Sequence, residues 1–64
     1  MKWLDIGDIA EALEEKFPNE DIISIRFTEL KRKVLDLEEF DDDEKYCNEK
    51  ILEAIQATWI AERS

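Results

Sequence analysis

Apolar residues recur at helical spacing in three stretches of this chain. In the first, Ile6, Ile9, Ala10, Leu13 and Phe17 follow an i, i+3, i+4, i+7, i+11 stripe, the mark of one buried helix face. Asp5 stands where an N-cap belongs, and Asp8 falls in the first turn, where the helix dipole favours a carboxylate. Pro18 has no N–H and biases Phe17 away from helical geometry, so this helix is expected to stop there. Gly7 in the first turn costs up to about 1 kcal/mol relative to alanine. It could instead admit a close packing neighbour, and the sequence leaves the two open.

A second stripe, Leu30, Val34 and Leu37, predicts a helix from an N-cap at Thr28 to about Leu37. Glu29 and Lys33 lie at i, i+4 in the favourable order, worth about 0.2–0.5 kcal/mol. Between the two helices, Asn19-Glu20-Asp21 is a turn. The β-branched Ile22, Ile23 and Ile25 then form either a short helical turn capped by Asp21, which is preferred, or a short strand. A third helix is expected to begin between Asp43 and Asn48 and to run to about Glu62, with Ile51, Leu52, Ile55 and Trp59 on its apolar face. Trp3 and Trp59 are read as core aromatics with part of each ring exposed. The expectation is an all-α, three-helix domain.

The polar residues break this regularity once. Residues 36–44 hold seven carboxylates in nine positions: Asp36, Glu38, Glu39, Asp41, Asp42, Asp43 and Glu44. Like charges this close repel, so the run weakens the fold unless something cationic meets it. Phe40, its one aromatic, is expected to insert into the core and pin the loop. Asp41, Asp42 and Asp43 would lie near the positive end of the third helix, which offsets part of their repulsion.

Composition narrows the function. Sixty-four residues make a single domain, residues 1–64, with a small core and no cleft between lobes. Eighteen acids against nine bases give a net charge of −9, which repels nucleic acid and anionic membrane and speeds encounter with a basic partner. There is no histidine, and Cys47 is the one cysteine. That removes the usual general base, the usual zinc ligand and any intrachain disulfide. No nucleophile–base constellation is left, so an enzyme is not expected. No apolar run approaches the roughly 20 residues that span a bilayer. The first residues lack the basic, apolar, small-residue order of a secretory leader, so a cytoplasmic location is expected; the chain is also expected to be a monomer.

The acidic run is the candidate site. As a docking patch, Asp36, Glu38, Glu39, Asp41, Asp42 and Asp43 would face a basic protein surface, with Asp5, Asp8 and Glu11 contributing if the first helix borders it. Charges of this kind raise association rate more than affinity and are weakened by salt. As a metal site, the run is poor. An EF-hand fails because neither Tyr46 nor Cys47, the sixth residue counted from Asp41 or Asp42, is glycine. Any iron would be held weakly, by the oxygens of Asp36, Glu38, Glu39, Asp41, Asp42 and Asp43. Cys47 is better explained as a small residue near a helix start than as a reactive thiol. Arg26, Lys31, Arg32 and Lys33 form the one basic cluster, expected to answer the acidic run or an acidic second partner rather than DNA.

Two strings, Asp36-Leu37-Glu38 with Phe40-Asp41-Asp42-Asp43 and Asn48-Glu49-Lys50-Ile51-Leu52-Glu53-Ala54-Ile55, occur here in the same order as in one known family. Lys2-Trp3 with Asp5, Glu11-Ala12-Leu13, Pro18, Arg26-Phe27-Thr28 and Trp59 extend the match nearly end to end. On these residues the chain resembles the IscX family of small acidic proteins of bacterial iron–sulfur cluster assembly. The resemblance implies an all-helical, modified winged-helix-like domain without catalytic activity. It further implies that an acidic surface binds a basic surface of the IscS-type cysteine desulfurase, one shared with bacterial frataxin, and that the scaffold protein is a further partner. Weak ferrous or ferric iron binding by the same acids is also implied, with no tightly bound cofactor. A low-affinity iron carrier or a generic acidic interaction module are the competing roles. The chain departs from the family at Lys31-Arg32-Lys33, where a His-x-Trp segment is usual, at Glu44 in place of proline, and at Cys47 in place of serine.

Overall fold

The computed structural model describes all 64 residues as three α-helices joined by ordered turns, without a strand. The helices are α1 (Ile6–Lys16), α2 (Phe27–Leu35) and α3 (Glu49–Arg63), and a single 3-10 turn at Glu44–Tyr46 precedes α3. The all-helical expectation holds.

Helix α1 buries Ile9, Ala10 and Leu13 from the predicted stripe, while Ile6 and Phe17 pack on the rim of the core. Its stop is where Pro18 puts it: Phe17 is the C-cap, and its N–H reaches Leu13 O at 2.8 Å. Asp5 occupies the N-cap position but makes no side-chain cap. Its Oδ2 instead accepts from the Lys2 N–H at 2.8 Å, because the chain turns sharply just before the helix. Gly7 has a negative φ and open space where a Cβ would lie, so it serves no close approach.

Helix α2 begins two residues earlier than predicted. Arg26 takes the N-cap position without a side-chain bond, and Thr28 lies inside the first turn. The helix ends at Leu35, and Leu37 is buried from the following turn rather than from the helix. Lys33 does not pair with Glu29. Its ammonium sits 3.0 Å from Glu20 and 4.2 Å from the centre of the Phe17 ring, so it ties α2 to the end of α1. That geometry offers a carboxylate and an aromatic face together, more than a solvated i, i+4 pair supplies.

The ambiguous isoleucines form a turn at residues 22–24 and not a strand. Asp21 Oδ1 accepts from the Ser24 N–H at 3.3 Å, Ile22 and Ile25 point inward, and Ile23 points out. Helix α3 holds this turn through Gln56 Nε2, which donates to Ile22 O at 2.8 Å, and holds the end of α1 through Arg63 Nη2, which donates to Phe17 O at 3.0 Å. Asn48 caps α3, its Oδ1 accepting from the Ile51 N–H at 2.9 Å.

The twelve buried residues are all apolar, contributed by the three helices and by Trp3, Ile22, Ile25 and Leu37 from the turns. Trp3 and Trp59 are 1% and 0% exposed, so the expected partial exposure of their rings is corrected. Each indole N–H can be hidden because it finds a partner, Asp43 O for Trp3 and Glu14 Oε1 for Trp59, both at 2.9 Å. No buried side-chain polar atom lacks a hydrogen bond. No helix is long and apolar enough to cross a membrane.

Candidate protein-docking surface

The acidic run divides into two parts that do different work. Its second half, Asp41–Asp43, is folded back on the first residues of the chain. Asp41 N donates to Met1 O at 2.8 Å, and Lys2 Nζ donates to Asp41 O at 2.6 Å. Asp42 turns its carboxylate inward, where Oδ2 accepts from the Trp3 N–H at 3.1 Å and Oδ1 from the Asp43 N–H at 2.7 Å. The Trp3 N–H above all holds the Asp42 carboxyl below its ordinary value, with Lys2 adding to the effect against some desolvation. Asp43 Oδ1 caps the 3-10 turn through the Lys45 N–H at 3.0 Å, and Lys45 Nζ stands 3.9 Å from its other oxygen. Thus Asp43 caps the 3-10 turn and not α3, whose own first-turn acid is Glu49. Phe40 packs against the core with its ring edge-on to Trp3, centroids 4.7 Å apart, and so pins the loop as expected.

The first half of the run meets α1. Glu38 and Glu39 stand beside Ala12 and Glu15 around a shallow hollow of about 270 Å³ that Lys16 and Leu37 complete. A second depression of about 180 Å³ adjoins it, lined by Met1, Asp8, Glu11, Ala12, Glu15 and Glu39. Ala12, Glu15 and Glu39 belong to both, so the two form one continuous face. Its five carboxylates, Asp8, Glu11, Glu15, Glu38 and Glu39, take part in no ion pair. Two cations stand at its edge, each bonded to a carbonyl: the Lys16 ammonium to Asp36 O at 3.1 Å and the N-terminal ammonium to Glu39 O. The α1 members follow from helical geometry, since positions 8, 11 and 15 lie on one side of a helix. Glu15 is the residue that sequence reasoning missed, although that same spacing announces it.

The remaining candidates sit at the margins. Asp36 is the C-cap residue of α2, exposed, with its carbonyl on Lys16. The Asp41 side chain is 93% exposed, 3.9 Å from Lys2 Nζ. Asp5 is occupied by the Lys2 N–H. Of the nine predicted residues, then, Asp8, Glu11, Glu38 and Glu39 are gathered on one face, and Asp42 and Asp43 serve the fold.

Of the basic cluster, only Lys31 answers the acidic run. Lys31 approaches Glu44 at 3.9 Å and Lys33 is held by Glu20, while Arg26 and Arg32 have no carboxylate partner. Burial above all, and then Glu44, push the Cys47 thiol up against the pull of Lys31. Its side chain packs, partly buried, against the core. No three acidic or cysteine side chains converge to hold a metal ion. With histidine absent as well, the donor set does not fit a built iron centre.

Comparison with known proteins agrees with the residue patterns. An uncharacterized protein of Pseudomonas aeruginosa is 48% identical over 63 residues, covering 98% of this chain and 96% of its own length. A family model described as iron-sulphur cluster assembly matches residues 1–64. A full-length match, carried on a helical body with an unpaired acidic face, places this chain in the iron-sulphur cluster assembly (IscX) family.

Proposed function

We propose that this protein is a non-catalytic adaptor of iron–sulfur cluster assembly that lays its acidic face against a basic surface of the cysteine desulfurase. One observation carries the reading: the five carboxylates of α1 and the 38–39 turn share a continuous face and form no internal ion pair. Five unpaired negative charges, part of a net charge of −9, destabilise the domain by mutual repulsion. A basic partner relieves that repulsion and is drawn in by the same field. The shallow form of the face suits a protein surface better than a small molecule, which needs a deeper, mostly apolar pocket.

Iron enters this reading only as loosely held cargo on carboxylate oxygens, without a cage to select it. The chemistry belongs to the desulfurase, and this chain contributes recognition. The test is charge reversal on the face itself. Glu38→Lys combined with Glu39→Lys should abolish co-purification with desulfurase, whereas reversal of Glu53 and Glu62 on the exposed side of α3 should leave it intact. Equal loss from both pairs would reduce the effect to net charge and remove the case for a defined face.

A further inference from the structure

Leu4 is a large apolar side chain left 80% exposed, in a chain that buries twelve others. A single exposed leucine is ordinary in itself, but the mount of this one is not. The turn that carries it is closed from both sides, by Asp5 N on Lys2 O at 2.9 Å and by Lys2 N on Asp5 Oδ2 at 2.8 Å. Its neighbour Trp3 is fully buried and bound through its backbone to Asp42 and through its indole to Asp43 O. With Trp3 fixed inward, Leu4 is fixed outward and cannot fold back onto the core.

Acids surround this mount. Asp5 follows Leu4, Asp8 comes one turn later, and Asp41–Asp43 are bonded to Lys2 and Trp3 on its other side. We propose that Leu4 is the apolar anchor of the docking face, seating in an apolar notch ringed by lysine and arginine on the partner protein. The inference rests on the docking reading above and adds an apolar contact at the Asp8 end of that face. Interfaces of this type concentrate affinity in a few buried side chains within a polar rim. A pre-fixed anchor loses little freedom on binding.

Charge selects the occupant. A second copy of this chain would bring its own −9, and an anionic membrane would repel the same acids. Ile23 is as exposed, at 79%, but lies beyond the opposite end of α1. There Glu20 is paired with Lys33, and Arg63 lines the same depression. It is the natural control.

The experiment is titration of purified IscS-type cysteine desulfurase at fixed ionic strength with the unaltered chain, Leu4→Ala and Ile23→Ala, following association and dissociation rates. Leu4→Ala should weaken binding roughly tenfold, mostly through faster dissociation, with Ile23→Ala within about twofold of the parent. Both variants should keep the parent's near-ultraviolet tryptophan dichroism, since both side chains face water. Binding of Leu4→Ala within twofold of the parent, or an equal loss in Ile23→Ala, overturns the anchor while the acidic-face reading stands. Absence of binding by the unaltered chain overturns both.

Discussion

The backbone N–H of Trp3 donates to Asp42 Oδ2 at 3.1 Å, joining two segments 39 residues apart. One member of the aspartate triplet is therefore a structural acid. Asp42→Ala leaves the Trp3 and Asp43 N–H groups without their acceptor, whereas Asp41→Ala removes an exposed side chain with a distant lysine. In urea unfolding, the midpoint should fall clearly for Asp42→Ala and stay close to the parent for Asp41→Ala. Equal midpoints would show that the inward hydrogen bonds contribute nothing.

Glycine 7 makes the opposite prediction. It sits in α1 with a negative φ and no heavy atom near the position of an added Cβ. Gly7→Ala should stabilise the domain by about 0.5–1 kcal/mol, by restricting the unfolded chain and favouring helix. Thermal unfolding measures it, and a destabilised variant would mean that residue 7 does not lie in the first turn of α1.

Asn48 is the one α-helix N-cap whose side chain makes the capping bond. Asn48→Ala should cost about 1 kcal/mol, and Asn48→Asp should retain most of the stability because a carboxylate caps as well. Thr28→Ala, at the N-cap position that the sequence suggests, should cost far less, since Thr28 lies inside α2.

The pH dependence has a definite sign. Arg63 first, then the Trp59 indole, hold the Glu14 carboxyl below its ordinary value. The unfolded chain therefore binds a proton more readily at this site. Its contribution is complete above the ordinary glutamate range, near about pH 4.3, and is lost as pH falls through the lower folded value. Glu14→Gln should lower stability at neutral pH and show a flatter acid limb than the parent. An acid limb of unchanged slope would indicate that the Arg63–Glu14 pair, 2.9 Å apart, is not the titrating contact.

These contacts mark the boundary of what the chain alone discloses. The stripes of α1 and α3, the stop at Pro18 and the pinning role of Phe40 are local consequences of residue type, and they are legible in the sequence itself. The partners of Lys33, Asp42 and Arg63 are not, because each lies on a distant segment that periodicity does not bring near. Glu29 offered Lys33 a local partner, yet Glu20 and Phe17 together offered a better one. The full burial of Trp3 and Trp59 was hidden for the same reason, since each indole depends on a remote acceptor. On the candidate face, the acidic run was evident from composition, but its division into a structural half and a free half was not. Only the fold of residues 1–3 onto 39–43 separates them, and it commits the Asp42 carboxylate to the Trp3 and Asp43 N–H groups.

The central claim is that recognition of the desulfurase is electrostatic and runs through the unpaired face of α1 and the 38–39 turn. The most direct measurement is the dissociation constant of that complex across a series of ionic strengths. The account predicts affinity falling steadily as salt rises, through slower association above all, with the slope much reduced in the Glu38→Lys, Glu39→Lys chain if any binding survives. An affinity that holds constant from low to high salt would contradict it.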